Sequence, residues 1–154
     1  MSAKIVVYFS ASGKTQSVCE ELAEKIGAET YEIKPKEKYT SGDLNWMNPF
    51  SRSSKEMKNK SSRPEIINEE VDFTKYDIIY LAFPIWWGIA PTIVNTFLEA
   101  HDFSGKTIIP FATSGGSGYG KSNDYLKGSL SDSTSLKDGR IINHVTDEII
   151  EELS

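Results

Sequence analysis

The stretch KIVVYFSASGKT, Lys4 to Thr15, decides the fold class of this 154-residue chain. Ile5, Val6, Val7, Tyr8 and Phe9 form an unbroken β-branched and aromatic run, the composition of a strand covered on both faces, as strands of parallel sheets are. Ser10, Ala11, Ser12, Gly13, Lys14 and Thr15 follow directly, and then Val18, Leu22 and Ile26 recur every four residues with Glu20, Glu21, Glu24 and Lys25 on the other face. That spacing predicts a helix over Thr15 to Ile26, with Gly27 as its stop. A strand that passes through a small-residue turn into a helix brings free backbone N–H groups and hydroxyls to the positive end of the helix dipole. Such a turn suits a phosphate.

The alternation continues down the chain. Glu29 to Ile33 reads as a short strand ended by Pro35, Asp77 to Phe83 as a third strand, and Lys106 to Thr113 as a fourth. Pro91 is expected at the first position of a helix, where its missing N–H does no harm, with Ile93, Val94, Phe97 and Leu98 on the buried face. Tyr119 to Leu130 reads as a weaker helix, Arg140 to Asn143 as a short fifth strand and Thr146 to Leu153 as a terminal helix. Strands alternating with helices imply an α/β fold with right-handed crossovers, here a doubly wound five-stranded parallel sheet of order 2-1-3-4-5. The length fits one domain over 1–154, with 36–71 as an irregular insertion after the second strand. Such a stretch is long for a compact domain and often functional. Within it Tyr39, Leu44, Trp46, Met47 and Phe50 are too apolar for a free linker, and Ser53 to Lys60 is compatible with a helical turn or two.

Two further strand ends carry chemistry. The third strand runs into Pro84, Ile85, Trp86, Trp87 and Gly88, a pair of indoles in a loop, which suits a flat aromatic ligand. The fourth runs into Thr113, Ser114, Gly115, Gly116, Ser117 and Gly118, whose glycines let backbone amides approach a ring closely. In the order 2-1-3-4-5 the first, third and fourth strands are adjacent, so the three loops are expected to share one crevice at the carboxyl ends of the strands. Gly13-Lys14-Thr15 is not a nucleotide P-loop, because the glycine required five positions before Gly13 is Tyr8. What remains is a cradle for a single phosphate, made by the hydroxyls of Ser10, Ser12 and Thr15 and the amides from Ala11 onward. Hydrogen bonds to a charged group contribute roughly 1.5–3 kcal/mol each, so a few suffice to hold a dianion without a lysine.

Composition narrows the partners. The net charge of −5 argues against nucleic acid and acidic membranes. The charge is unevenly spread: Lys36 to Pro64 holds seven basic residues against three acidic ones. No run approaches the roughly 20 apolar residues of a membrane span, and the N-terminus lacks the cleavage pattern of a leader, so a cytoplasmic location is expected. Cys19 is the single cysteine, which excludes an internal disulfide and leaves a small hydrophobe on the first helix. His101 and His144 have no partner in a triad or metal spacing, and Asp147-Glu148 with Glu151-Glu152 read as a solvated helix face. No catalytic side chain and no metal ligand is assigned.

With these motifs in place the chain resembles the flavodoxins over essentially its whole length. Their phosphate loop, T-x-T-G-x-T, stands here as Ser10-Ala11-Ser12-Gly13-Lys14-Thr15, with serine at two of the three threonine positions. PIWWG, together with YTSGDLNW at Tyr39 to Trp46, SSRPEI at Ser61 to Ile66 and the TSGGSG loop, is similar to a bacterial subgroup of flavodoxin-like proteins. The resemblance implies non-covalent FMN, with phosphate on the first loop and isoalloxazine between the second and third, and electron transfer between redox partner proteins. It further implies that the Gly88 carbonyl can turn toward flavin N5 as the ring takes up an electron and a proton. The acidic balance outside the basic segment is expected to disfavour an anionic reduced flavin and lower its potential. Which indole lies flat on the ring is open. Two rivals stand beside this reading: an FMN-dependent NAD(P)H or quinone oxidoreductase, with Trp46 and its neighbours covering the flavin face, and a binding or regulatory module that has lost FMN. Nothing marks a dimer interface, so the sequence is compatible with a monomer.

Overall fold

The computed structural model describes residues 3–45, 47–67 and 71–154. Strand β1 (Ala3–Tyr8) pairs in parallel with β2 (Glu29–Glu32) on one side and β3 (Tyr76–Pro84) on the other, and β3 pairs with β4 (Thr107–Thr113). Two short pieces, β5 (Ser135–Leu136) and β6 (Arg140–Ile141), lie along the far side of β4, also parallel. The sheet order β2-β1-β3-β4-β5 is the one expected, with the fifth position filled in two segments where the sequence reading placed a single strand at Arg140 to Asn143. Between the two segments Gly139 lies against Tyr119: a Cβ there would come within 2.1 Å of the ring.

Side chains of β1 alternate between two cores, as a strand covered on both faces must. Ile5, Val7 and Phe9 join Leu81, Phe83, Ile93, Val94 and Phe97 on the face covered by helix α3 (Thr92–Ala100). Val6 and Tyr8 join Val18, Cys19, Leu22 and Ala82 on the face covered by α1 (Lys14–Ile26) and α5 (Asp147–Leu153). Each fully buried Val, Leu, Ile or Phe contributes roughly 1.5–3 kcal/mol relative to an exposed one. Gly27 adopts φ 73° and closes α1 as expected, its N–H donating to the Ala23 carbonyl. Burial pushes the Cys19 thiol pKa up.

Two elements differ from expectation. Pro91 is the N-cap of α3 and not its first helical residue. The helix expected over Tyr119 to Leu130 is shorter, α4 (Ser122–Leu126) followed by a 3-10 turn over Lys127–Ser129, because Gly120 at φ +63° is left-handed and cannot belong to the helix. The irregular insertion contains α2 (Arg52–Lys58), capped by the Ser51 side chain, which accepts from the Ser54 N–H. The insertion is tied back to the end of β2: Lys36 N–H donates to the Glu65 carbonyl and Ile67 N–H to the Lys34 carbonyl. Its ion pairs include Arg52–Glu56, Lys36–Glu65 and Arg63–Glu99. Among the described residues no helix is long and apolar enough to cross a membrane, and no cluster of His, Cys, Asp and Glu is placed to hold a metal.

His101 caps the C-terminal end of α3 against Phe73, Phe97 and Phe103, and burial lowers its pKa. His144 is exposed. Asp147 and Glu148 occupy the first turn of α5, where the helix dipole favours acids, and Glu152 pairs with Arg140.

Candidate functional site

The strand order reverses between β1 and β3, and the loops that follow β1, β3 and β4 meet beyond that point. Gly13, at φ 94°, is the N-cap of α1 and offers no side-chain acceptor, so the first-turn amides have no side-chain cap. The three hydroxyls of this loop take different positions. Ser10 Oγ accepts from the Gly13 N–H at 3.1 Å, Ser12 is exposed, and Thr15 is buried, its Oγ1 sharing a 2.7 Å hydrogen bond with Thr113 Oγ1. Ala11 is half-buried and packs on the α3-side core, while Lys14 points to solvent.

The Thr15–Thr113 bond joins the loops after β1 and β4. Replacing either threonine by valine leaves the other hydroxyl buried without its partner, at a cost of about 1–3 kcal/mol, whereas replacing both removes the mismatch. Thr15→Val and Thr113→Val are therefore expected to be strongly non-additive, the double variant losing less than the sum of the singles in urea unfolding. Simple additivity would mean the bond does not form in solution.

The loop after β3 closes through a pair of backbone hydrogen bonds, Trp86 N–H to the Ile89 carbonyl and Ile89 N–H to the Trp86 carbonyl. Its two central residues, Trp87 at φ 49° and Gly88 at φ 79°, both have positive φ, as the tightest hairpin turns require. For a glycine this is free; for Trp87 it costs roughly 1–2 kcal/mol. The two indoles consequently part. Trp86 turns inward, edge-on to Phe9 and Tyr39 at 5.7 and 5.3 Å between ring centroids, while Trp87 is 47% exposed. Tyr39 is seated by the insertion: its hydroxyl donates to Glu56 at 2.6 Å, and the Arg52 guanidinium lies 3.9 Å over its ring while pairing with the same carboxylate. Burial and the bond to Glu56 push the Tyr39 pKa up.

In the third loop Asn143 does what the sequence reading missed. Its side chain accepts from the Ser114 N–H at 2.9 Å and donates to the Ser114 carbonyl at 3.0 Å, imitating a strand partner just past β6. Ser114 Oγ bonds Ser117 Oγ and accepts from the Gly116 N–H. Added Cβ atoms at Gly115, Gly116 and Gly118 would meet nothing within 4 Å.

Between these loops lies a cavity of about 630 Å³ lined by Leu44, Ser53, Ile85, Trp86, Trp87 and the backbone and side chains of Ser114, Gly115, Gly116 and Ser117. That size is ordinary for a cofactor pocket. The second and third predicted loops thus meet in one cavity, and the first is attached to it through Thr15 and Thr113. Pro84 ends β3 behind it and Gly88 sits at the turn. Leu44 and Ser53, both from the insertion, and Ser117 were not singled out as site residues. Trp46, expected to cover the flavin face, lies outside the described residues.

A family profile described as flavodoxin matches residues 3–153. The chain belongs to the flavodoxin family. Among solved structures it is similar to a candidate flavoprotein from Bacteroides eggerthii, at 42% identity and a TM-score of 0.92, with 99% of this chain and 96% of that chain covered. A candidate flavoprotein from Bacteroides uniformis aligns at 41% identity and a TM-score of 0.90, over 99% of this chain and 97% of that chain. A flavoprotein from Lactobacillus acidophilus, described in complex with FMN, shares the fold at 20% identity and a TM-score of 0.72, over 99% and 98% of the two chains. No curated protein matches.

A flavodoxin's ring must be met by aromatic faces, backbone amides and few charges, and this cavity has that donor set. Ser53 is 2% exposed, and its Oγ has no hydrogen-bond partner. A buried hydroxyl left so costs about 1–3 kcal/mol.

Proposed function

We propose that this flavodoxin-family chain binds FMN and works in the cytoplasm as a low-potential electron carrier between redox partner proteins. The observation that carries the reading is the cavity in which both indoles and the Ser114–Ser117 backbone converge, beside a helix N-terminus whose cap residue is glycine. FMN supplies the redox chemistry when bound. The chain's own part is to seat it: the amides from Ala11 to Thr15 with the Ser10 and Ser12 hydroxyls take the phosphate, and Ile85, Trp86 and Trp87 exclude water from the ring. The Gly115, Ser117 and Gly118 amides would serve its polar edge, the Ser114 and Gly116 N–H groups being taken by Asn143 and the Ser114 hydroxyl, and the Gly88 carbonyl, which lies against Gly120, would have to turn to become its acceptor. The FMN described in the Lactobacillus acidophilus flavoprotein supports the choice of cofactor.

An FMN-dependent NAD(P)H:quinone oxidoreductase is the second reading. It is favoured by Leu44 and Ser53, which bring the insertion into the cavity wall and give the ring a neighbour that a bare carrier would not need. Anaerobic reduction of the FMN-loaded protein separates the two. Two resolved one-electron steps with dithionite and none with NADPH are expected of the carrier, whereas direct two-electron bleaching by NADPH would make it an oxidoreductase. A protein that takes up no FMN would be a module of another kind.

A further inference from the structure

We propose that the surface around Trp87 is a docking face for a redox partner whose own surface is acidic. The inference rests on the electron-carrier reading and deepens it by naming the partner's chemistry.

A second cavity, of about 460 Å³, adjoins the first and shares Trp87 with it; Met47, Pro49, Met57, Lys58 and Lys60 form most of the remaining wall. Large exposed apolar side chains gather here. Met47 is 75% exposed and Trp87 47%, and Phe50, beside Pro49 in the chain, is 77% exposed. Tyr125 also belongs to this group, its ring 5.8 Å beneath the Lys60 ammonium. Contiguous exposed apolar surface with a polar rim marks an interaction site.

The charge of the rim selects the partner. Arg52, Arg63 and Lys36 of the insertion are neutralised by Glu56, Glu99 and Glu65. Lys58 and Lys60 are different: their ammonium groups donate to the Pro49 and Met57 carbonyls, and among the described residues neither enters an ion pair. Among the described residues no carboxylate lines the second cavity. Among the described residues, a chain of net charge −5 therefore presents two cations without an ion pair next to the exposed indole. Such a dipolar arrangement orients an acidic partner during approach and repels a basic one. In the docked pair one electron passes from the reduced flavin to the partner's oxidised centre, past Trp87.

Stopped-flow mixing tests this. FMN-loaded protein, reduced beforehand, is mixed with ferric cytochrome b5, an acidic haem protein, and separately with the basic cytochrome c; each ferric haem takes one electron from the flavin and becomes ferrous. The rate with cytochrome b5 is expected to fall roughly tenfold between about 0.01 M and about 0.15 M salt, although both proteins are net negative. Lys58→Glu/Lys60→Glu is expected to reverse that slope. Lys25→Glu/Lys75→Glu makes the same change of charge at the amino ends of the strands, away from the patch, and is expected to keep its sign. A cytochrome b5 rate that rises with salt in the unaltered protein, or equal effects of the two double variants, would overturn the proposal. Ferricyanide sensitive to the Lys58/Lys60 pair while cytochrome b5 is not would replace the partner by a small anionic substrate. Should FMN not load, the carrier reading fails on its own. The local field is then read on the flavin-free Trp46→Phe/Trp86→Phe protein, whose remaining indole is Trp87: stronger fluorescence quenching by iodide than by caesium supports a cationic face, and the reverse overturns it.

Discussion

Gly120→Ala is expected to lower stability by about 2 kcal/mol or more and to weaken FMN binding in the same protein. Two costs add. Gly120 has φ +63°, where an L side chain loses roughly 1–2 kcal/mol. Its Cβ would also stand 2.1 Å from the Gly88 carbonyl oxygen. That oxygen is backbone, so it cannot swing aside as a side chain would; the Trp86–Ile89 turn must shift, and Trp87 and the Gly88 carbonyl shift with it. Gly128→Ala is the companion variant, since φ there is not positive and a Cβ meets nothing within 4 Å. It is expected to change stability by less than about 0.5 kcal/mol. Urea unfolding reads the first effect, and titration with FMN, followed by quenching of flavin fluorescence, reads the second. An unfolding midpoint and an affinity both unchanged in Gly120→Ala would show that the approach of Gly120 to Gly88 does not hold the turn.

Trp86→Ala and Trp87→Asn are expected to act with opposite signs on stability while both reduce FMN affinity. Trp86 packs on Phe9 and on Tyr39, and Tyr39 in turn is fixed by Glu56 and Arg52. Its removal costs roughly 3 kcal/mol, the lower end of the range for large aromatic truncation because the indole is half-buried. It also releases the insertion from the core, so protease sensitivity should appear first between 36 and 67. Among the described residues Trp87 makes no such ring contact, and its backbone is left-handed. Asparagine tolerates that conformation better than tryptophan does, so Trp87→Asn is expected to match or exceed the parent in stability. The two unfolding curves, set against the two FMN titrations, decide it. A destabilised Trp87→Asn would mean that its indole is held in a packed position.

The sheet order was legible because β1, β3 and β4 are each long apolar runs that end in turn residues, and a strand buried on both faces leaves few other readings. The loops after those strands were legible for the same reason, since their place at the strand ends follows from the order. Distance along the chain hid the rest. Asn143 reaches Ser114 across 29 residues, and an asparagine near a short strand carries no local signal of that bond. Ser53 is one of many serines in its segment, and only burial distinguishes it. The close approach of Tyr119 to Gly139, between the two segments of the fifth strand, is a contact between side chain and backbone that no periodicity records.

Cys19 lies fully buried under the sheet, its pKa raised by that burial, so it yields almost no thiolate. Thiol-directed oxidants and maleimides therefore have no purchase on Cys19 in the folded chain. A thiol introduced at an exposed position such as Lys25 or Lys58 would be its single reactive thiol, and a spin label or fluorophore could be attached there without removing the native cysteine. The distance from each indole or from a bound flavin to that label could then be measured in an otherwise unaltered molecule.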